Sequence, residues 1–204
     1  TWMETSKEDN VQKKLEGVDA VIIPGGFGKR GTEGKIEVAQ YCREHNIPLL
    51  GICLGLQLMV VEYARHVCGL QDANSTEFNN TSNPVVDILP EQLSVKNKGG
   101  TMRLGAYEAE LHEGSQMATQ IYHEKRASER HRHRYEINPE FHQALEGKNL
   151  IFSGTSKDGR LVEFIELKEH PYWVGTQGHP ELKSSLLKPA PLFYGLIKAA
   201  VEKK

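Results

Sequence analysis

Apolar and polar positions follow two different periods along the chain, and the switches between them delimit its elements. Asp19 to Gly26 (DAVIIPGG) is a short β-branched run closed by Pro and Gly, the pattern of a buried strand entering a loop. Glu33 to Asn46 sets Ile36, Ala39, Tyr41 and Cys42 among polar residues at helical spacing, and Pro48 stands just past its end. Pro48 to Cys53 (PLLGIC) reads as the next strand, and Leu56 to Val67 as an amphipathic helix turning Leu58, Met59, Val61, Tyr63 and Ala64 inward. Strands separated by helices of this length predict parallel βαβ units with right-handed crossovers.

The middle and end of the chain are patterned differently. Asp72 to Asn83 is polar and loop-like, Val85 to Leu89 reads as a strand, and Gly99 to Leu111 as a Gly-opened strand. A short helical stretch is predicted near Met117 to Tyr122. The charged pentad Arg130-His131-Arg132-His133-Arg134 follows, and then Tyr135 to Gly147, a strand running into a helix. Leu150 to Leu167 alternates around the turn dipeptide Asp158-Gly159 and predicts a hairpin. Tyr172 to Glu181 holds a last strand, and Pro191 to Lys203 a terminal helix; there is no internal repeat or low-complexity segment.

Composition narrows the picture without naming an activity. With 204 residues, 38% of them apolar, and a net charge of −2, the chain is long enough to bury a core and reads as one domain over residues 1–204. The charge implies no partner class, and neither a nucleic acid nor a membrane is expected. Cys42, Cys53 and Cys68 are odd in number and lack CxxC or zinc-like spacing, so a disulfide framework is not expected and a reducing, cytoplasmic compartment is. Asn74, Asn79 and Asn80 match the glycosylation triplet, which would matter only in a secreted protein. The opening TWMETSKEDN has no initiator Met and reads as the start of a domain from a longer protein.

Chemistry enters at Gly51-Ile52-Cys53-Leu54-Gly55. A strand that ends at a nucleophile and passes through Gly into a helix is the elbow of Gly-x-Ser-x-Gly hydrolases, here with Cys for Ser. The glycines permit a sharp turn and close approach, while the helix N-terminus is expected to lower the thiol pKa and aim N–H groups at an oxyanion. A buried structural cysteine would carry the same pentapeptide. A thiol nucleophile needs a base, and the base needs an orienting group. Of nine histidines, His179 has the best surroundings: it follows a predicted strand, and Glu181 stands two residues on, so in extended backbone the two share a side. His-Pro-Glu alone is more often a surface turn; beside the elbow it makes a candidate Cys-His-Glu triad.

In that order and spacing, PGGFG (24–28), GICLGLQ (51–57) and HPE (179–181) resemble class I glutamine amidotransferases. More narrowly, PGGFGKRGTEGKI, DANSTEF, GGTMRLG, RHRHRYEINP and KPAPLFYGL are similar to the C-terminal glutaminase domain of the CTP synthase family. The resemblance implies a flavodoxin-like three-layer α/β/α fold with a central, mostly parallel sheet. It implies that Cys53 attacks the amide of L-glutamine, His179 moves the proton to the departing ammonia and Glu181 orients His179, through a γ-glutamyl thioester. The backbone N–H groups of Gly26 and Leu54 would form the oxyanion hole. Glu77 and Arg134 would hold the zwitterionic head of glutamine, with Gly26, Leu54, Gly55 and Gln57 lining the site. For Glu77 the alternative is a solvated acidic loop, and for the pentad a basic surface patch.

Further implications concern the larger enzyme. Ammonia would pass to an N-terminal synthetase domain that uses ATP and Mg²⁺ to convert UTP to CTP, within a homotetramer. The chain has no P-loop match, in keeping with a glutaminase half that needs no cofactor of its own. GTP is the family's activator, and Phe27, Arg30 and Glu33 are candidates for contacts linked to it. No metal is expected, because His131 and His133 are flanked by arginines that repel a cation. Two departures stand out. Gly178 replaces an aromatic before the His, which predicts a looser His179 and a gain from Gly178→Phe. The family fold usually opens with an extra strand and helix before WMETS, so either those residues are missing here or the sheet is a strand short, and the former is expected. Two rival readings remain: a DJ-1/PfpI-like cysteine hydrolase, which lacks the His-Pro-Glu, and a binding module without turnover.

Overall fold

The computed structural model describes residues 1–5, 10–89 and 102–203. Its elements run α1 (Val11–Leu15), β1 (Val21–Ile23), α2 (Thr32–Glu44), β2 (Leu49–Ile52), α3 (Leu54–His66), β3 (Asn74–Ser75) and β4 (Pro84–Asp87). They continue with β5 (Arg103–Leu111), β6 (Arg126–His133), β7 (Glu136–Ile137), α4 (His142–Leu145), β8 (Leu150–Thr155), β9 (Val162–Leu167), β10 (Trp173–Thr176) and α5 (Pro191–Glu202). A seven-stranded sheet has the order β1-β2-β10-β9-β8-β5-β6, and β3, β4 and β7 form a small second sheet.

The large sheet is mixed, which corrects the expectation of a mostly parallel one. β1, β2 and β10 pair in parallel, while β10-β9, β9-β8, β8-β5 and β5-β6 are antiparallel. The reason lies in the connections. A parallel return takes a crossover of about a dozen residues or more; α2 supplies one between β1 and β2, whereas only residues 168–172 join β9 to β10.

Helices cover both faces around the parallel part. Leu49 and Trp173 belong to the core shared with α2 and α3, and their neighbours Leu50 and Val174 to the core shared with Leu192 and Leu196 of α5. This period of two on strands buried on both sides is why PLLGIC reads as a continuous apolar run. α3 is buried at every position from Leu54 to Ala64, so it is a core helix rather than the amphipathic one its spacing predicts. Each of its large apolar side chains contributes roughly 1.5–3 kcal/mol by burial.

Three other segments differ from expectation. The stretch around Met117 forms a π-helical turn, Met117–Ile121. Asp72–Asn83 contains the short strand β3. The first four residues of the pentad end an eight-residue strand that charge density hides: on β6, Ala127, Glu129, His131 and His133 are buried while Arg126, Ser128, Arg130 and Arg132 are exposed. The hairpin at Asp158-Gly159 forms as expected, and residues 99–101 of the Gly-opened strand lie outside the described residues.

Candidate active site

Cys53 terminates β2 and caps α3, with φ 52° and ψ −103°, a backbone conformation that costs a side-chain-bearing residue on the order of 1–3 kcal/mol. Two contacts hold it there: its N–H donates to the Thr176 carbonyl of β10 at 2.7 Å, and its carbonyl accepts from the Gln57 N–H at 3.2 Å. The side chain is 5% exposed. Burial pushes the thiol up to about 12, against the pull of the Leu54 N–H; the carboxylates of Glu181, Glu136 and Glu77 push it the same way. The expectation that the helix N-terminus leaves a lowered pKa is therefore corrected: loss of solvation outweighs the helix-end donor.

His179 follows β10 after Gln177 and Gly178. Its N–H donates to the Arg130 carbonyl at 2.7 Å, so β6, at the far edge of the sheet, curls round to hold the residue that follows β10. Nδ1–H donates to Glu181 Oε1 at 2.6 Å. That bond fixes the tautomer with a lone pair on Nε2, which is buried and has no hydrogen-bond partner among the described residues. Gly25 shows where this nitrogen works: a Cβ there would sit 3.0 Å from His179 Cε1 and 3.6 Å from Cys53 Cβ. The Pro24-Gly25-Gly26 turn thus lies against His179 and Cys53 together, and a side chain on Gly25 would press on the His179 ring. A Cβ on Gly26 would sit 3.2 Å from Leu54 Cδ2.

Glu77 and Arg134 come near one another around Tyr135. Glu77 Oε1 accepts from the Gly28 N–H at 2.7 Å, tying the glycine loop to the β3 turn. Glu77 and Arg134 both act electrostatically on the Tyr135 hydroxyl, which burial and Glu77 push up and Arg134 pulls down. Gln57 plays a different part from simple lining: it is buried, and its amide donates to the Tyr135 carbonyl at 3.0 Å and to Gln177 Oε1 at 3.3 Å, bracing the floor of the site. Gly55 is buried in the first turn of α3.

The three residues of the "FGKRGTEG" loop separate. Phe27 is 91% exposed. Arg30 pairs on the surface with Glu4 at 2.9 Å. Glu33 is engaged elsewhere, in a two-point pair with Arg65 at 2.7 and 3.3 Å that joins α2 to α3. Among the described residues no group of three or more His, Cys, Asp or Glu is arranged to hold a metal ion, and no helix is long and apolar enough to cross a membrane.

Gly178 corrects a second expectation. A Cβ there would lie 2.6 Å from Glu129 Cβ and 3.5 Å from His131 Nε2. β6 fills the space an aromatic would take, and His179 is held directly by Arg130, not loosened. Several site residues were missed in the sequence reading: Gly25, Thr176 and Gln177 around the elbow, and the inward-facing His131 and His133. Only the last two left a signal, the alternation along RASERHRH.

The described geometry has counterparts among known proteins. The profile of glutamine amidotransferase class-I matches residues 1–199. A CTP synthase of Methanococcus maripaludis is 55% identical over 98% of this chain and 38% of its own length. A CTP synthase of Bacillus subtilis is 54% identical over 96% of this chain and 36% of its own. The chain thus spans well under half of these relatives. The solved structure described as Trypanosoma brucei CTPS glutaminase domain with bound acivicin superposes with a TM-score of 0.86 at 38% identity, covering 95% of this chain and 75% of that one. A Thermoplasma acidophilum protein described as a component of GMP synthase shares the fold, with a TM-score of 0.62 at 18% identity, covering 96% of this chain and 79% of that one. With a nucleophile elbow, a carboxylate-locked histidine and a family match over nearly its whole length, the chain belongs to the class I glutamine amidotransferases.

Proposed function

We propose that this chain is the glutaminase unit of a CTP synthase. The observation that carries the proposal is the imidazole of His179, locked at Nδ1 by Glu181 and buried at Nε2, across Gly25 from Cys53. Cys53 Sγ attacks the side-chain carbonyl carbon of glutamine as His179 Nε2 takes the thiol proton. Because burial favours the neutral thiol, transfer accompanies attack instead of preceding it. The tetrahedral oxyanion is held by the N–H groups of Leu54 and Gly26. His179 returns the proton to the nitrogen, ammonia leaves, and a γ-glutamyl thioester remains. Water, deprotonated by His179, then cleaves the thioester to glutamate and the thiol. Glu77 and Arg134 bind the α-amino and α-carboxylate ends of the substrate.

In the larger protein the ammonia feeds an N-terminal synthetase domain that aminates UTP to CTP with ATP and Mg²⁺, within a cytoplasmic homotetramer of pyrimidine nucleotide synthesis. The high identity to two CTP synthases supports this assignment. GTP activates through the exposed Phe27 and Arg30, with Glu33 holding the helix start beneath them. The test is glutamate release from glutamine, with intact-mass detection of an acivicin adduct, for this chain and Cys53→Ala. Turnover or an adduct that vanishes in Cys53→Ala is expected. Absence of both from the folded wild-type chain would overturn the glutaminase reading and favour a binding module.

A further inference from the structure

Behind the site lies a buried polar cluster that the proposed chemistry does not use. Arg103, on β5 and 11% exposed, donates from one side of its guanidinium to Glu136 Oε1 at 3.3 Å and from the other to Glu163 Oε1 at 2.7 Å. Its Cζ also lies 4.4 Å from the centre of the Tyr107 ring. Glu163 Oε2 is 3.4 Å from His131 Nε2, and His131 Nδ1 meets His133 Nε2 at 2.9 Å. His133 Nδ1 in turn faces the Tyr135 carbonyl at 3.1 Å and Glu136 Oε1 at 3.5 Å. A closed circuit results, from β5 through β9 and β6 to β7 and back to Arg103.

The circuit encloses one place where the chain leaves β6: Arg134 and Tyr135 stand between His133 and Glu136. Both flanking side chains are buried members of the cluster, and the Tyr135 carbonyl takes bonds from His133 and from Gln57. Burial and the charge of Arg103 keep both histidines neutral, His131 down to about 3. His131 Nδ1–H donates to His133 Nε2 and His133 Nδ1–H to the Tyr135 carbonyl, while His131 Nε2 only packs against Glu163 Oε2, leaving the guanidinium as the charge that holds two carboxylates of different strands. The catalytic histidine is secured independently, by the Arg130 carbonyl and Glu181.

We propose that Arg103 is a positioning residue for glutamine recognition, acting through Glu136, Glu163 and the His131–His133 pair to set the corner that presents Arg134. The assignment rests on the glutaminase reading of the site. The bridge uses the fork of the guanidinium, which an ammonium does not reproduce. Arg103→Lys keeps the charge and loses the bridge, so KM for glutamine is expected to rise on the order of 10- to 100-fold while kcat stays within about threefold. Alkylation of Cys53 by iodoacetamide, which carries no amino-acid head, keeps its wild-type rate. His133→Gln, which disturbs the corner without unpairing the carboxylates, serves if Arg103→Lys does not fold and is expected to raise KM in the same sense.

A KM within twofold of wild type in the folded variants would overturn the assignment. So would losses of kcat and of alkylation rate as large as the rise in KM, since a general collapse of the site produces those. Failure of the glutaminase reading is separately visible, as a folded wild-type chain that neither releases glutamate nor takes up acivicin, and it removes this assignment too.

Discussion

Replacing Gly178 with Phe tests how tightly the base is mounted. The missing Cβ would stand 2.6 Å from Glu129 Cβ, whereas unbonded carbons pack at about 3.5–4.0 Å. Roughly 1 Å must therefore be found by moving β6 away from the segment that follows β10, before any ring is accommodated. Glu129 has little room to yield, being buried with its carboxylate taking a 2.7 Å bond from the Tyr122 hydroxyl. Overpacking of this kind costs about 3 kcal/mol, of which the entropy gained by replacing Gly offsets about 0.4–1 kcal/mol. For a domain of this size a net loss near 2 kcal/mol lowers Tm by about 4–8 °C. Because β6 carries the Arg130 carbonyl that holds His179, kcat for glutamate release is expected to fall by about tenfold or more. Thermal melting and steady-state kinetics on the same preparations read both quantities. A variant that melts at or above the wild-type temperature with equal or higher kcat would refute the argument, and would mean that an aromatic side chain fits here as well.

Other perturbations reach different parts of the site. Glu181→Gln removes the charge from the 2.6 Å bond to His179; a charge-assisted bond is worth about 1.5–3 kcal/mol, so glutamate release should slow by about 10- to 100-fold with KM little changed. With the Cys53 thiol held near 12, its reaction with iodoacetamide should accelerate about tenfold per pH unit between about pH 7 and 9, and a plateau in peptide-resolved rates near pH 7 would contradict that. Arg65→Met breaks the pair with Glu33 and the 2.7 Å bond to the Ala73 carbonyl. It should lower Tm by about 2–8 °C and leave kcat unchanged, whereas a parallel loss of kcat would show that the α2–α3 joint reaches the site.

The parallel third of the sheet was legible because its strands obey one rule over few residues. Val21–Ile23 and Leu49–Ile52 are apolar on both faces and lie next to helices, and that leaves a continuous run in the sequence. β6 was hidden for the opposite reason: its inward positions include Glu129, His131 and His133, polar residues that bond the Tyr122 hydroxyl, each other and the Tyr135 carbonyl. The triad could be read from adjacency, since Glu181 is two residues from His179 and the elbow is local. The thiol's raised pKa could not, because it follows from burial, which the pentapeptide does not encode. Gly178 misled for a similar reason: a missing side chain looks like a void until the strand that fills it is in place.

The route by which β6 reaches His179 sets a mechanical condition on catalysis. Between β10 and β6 lie β9, β8 and β5, so the Arg130 carbonyl meets His179 only because the sheet bends back on itself. Twist accumulates strand by strand, and Cys53 stands on the parallel side while His179 hangs from the end of the bend. The distance a proton travels from thiol to imidazole is thus a measure of how far the sheet is wound. Any load that unwinds β5 and β6, even one applied at their outer edge, lengthens that step without touching either reacting group.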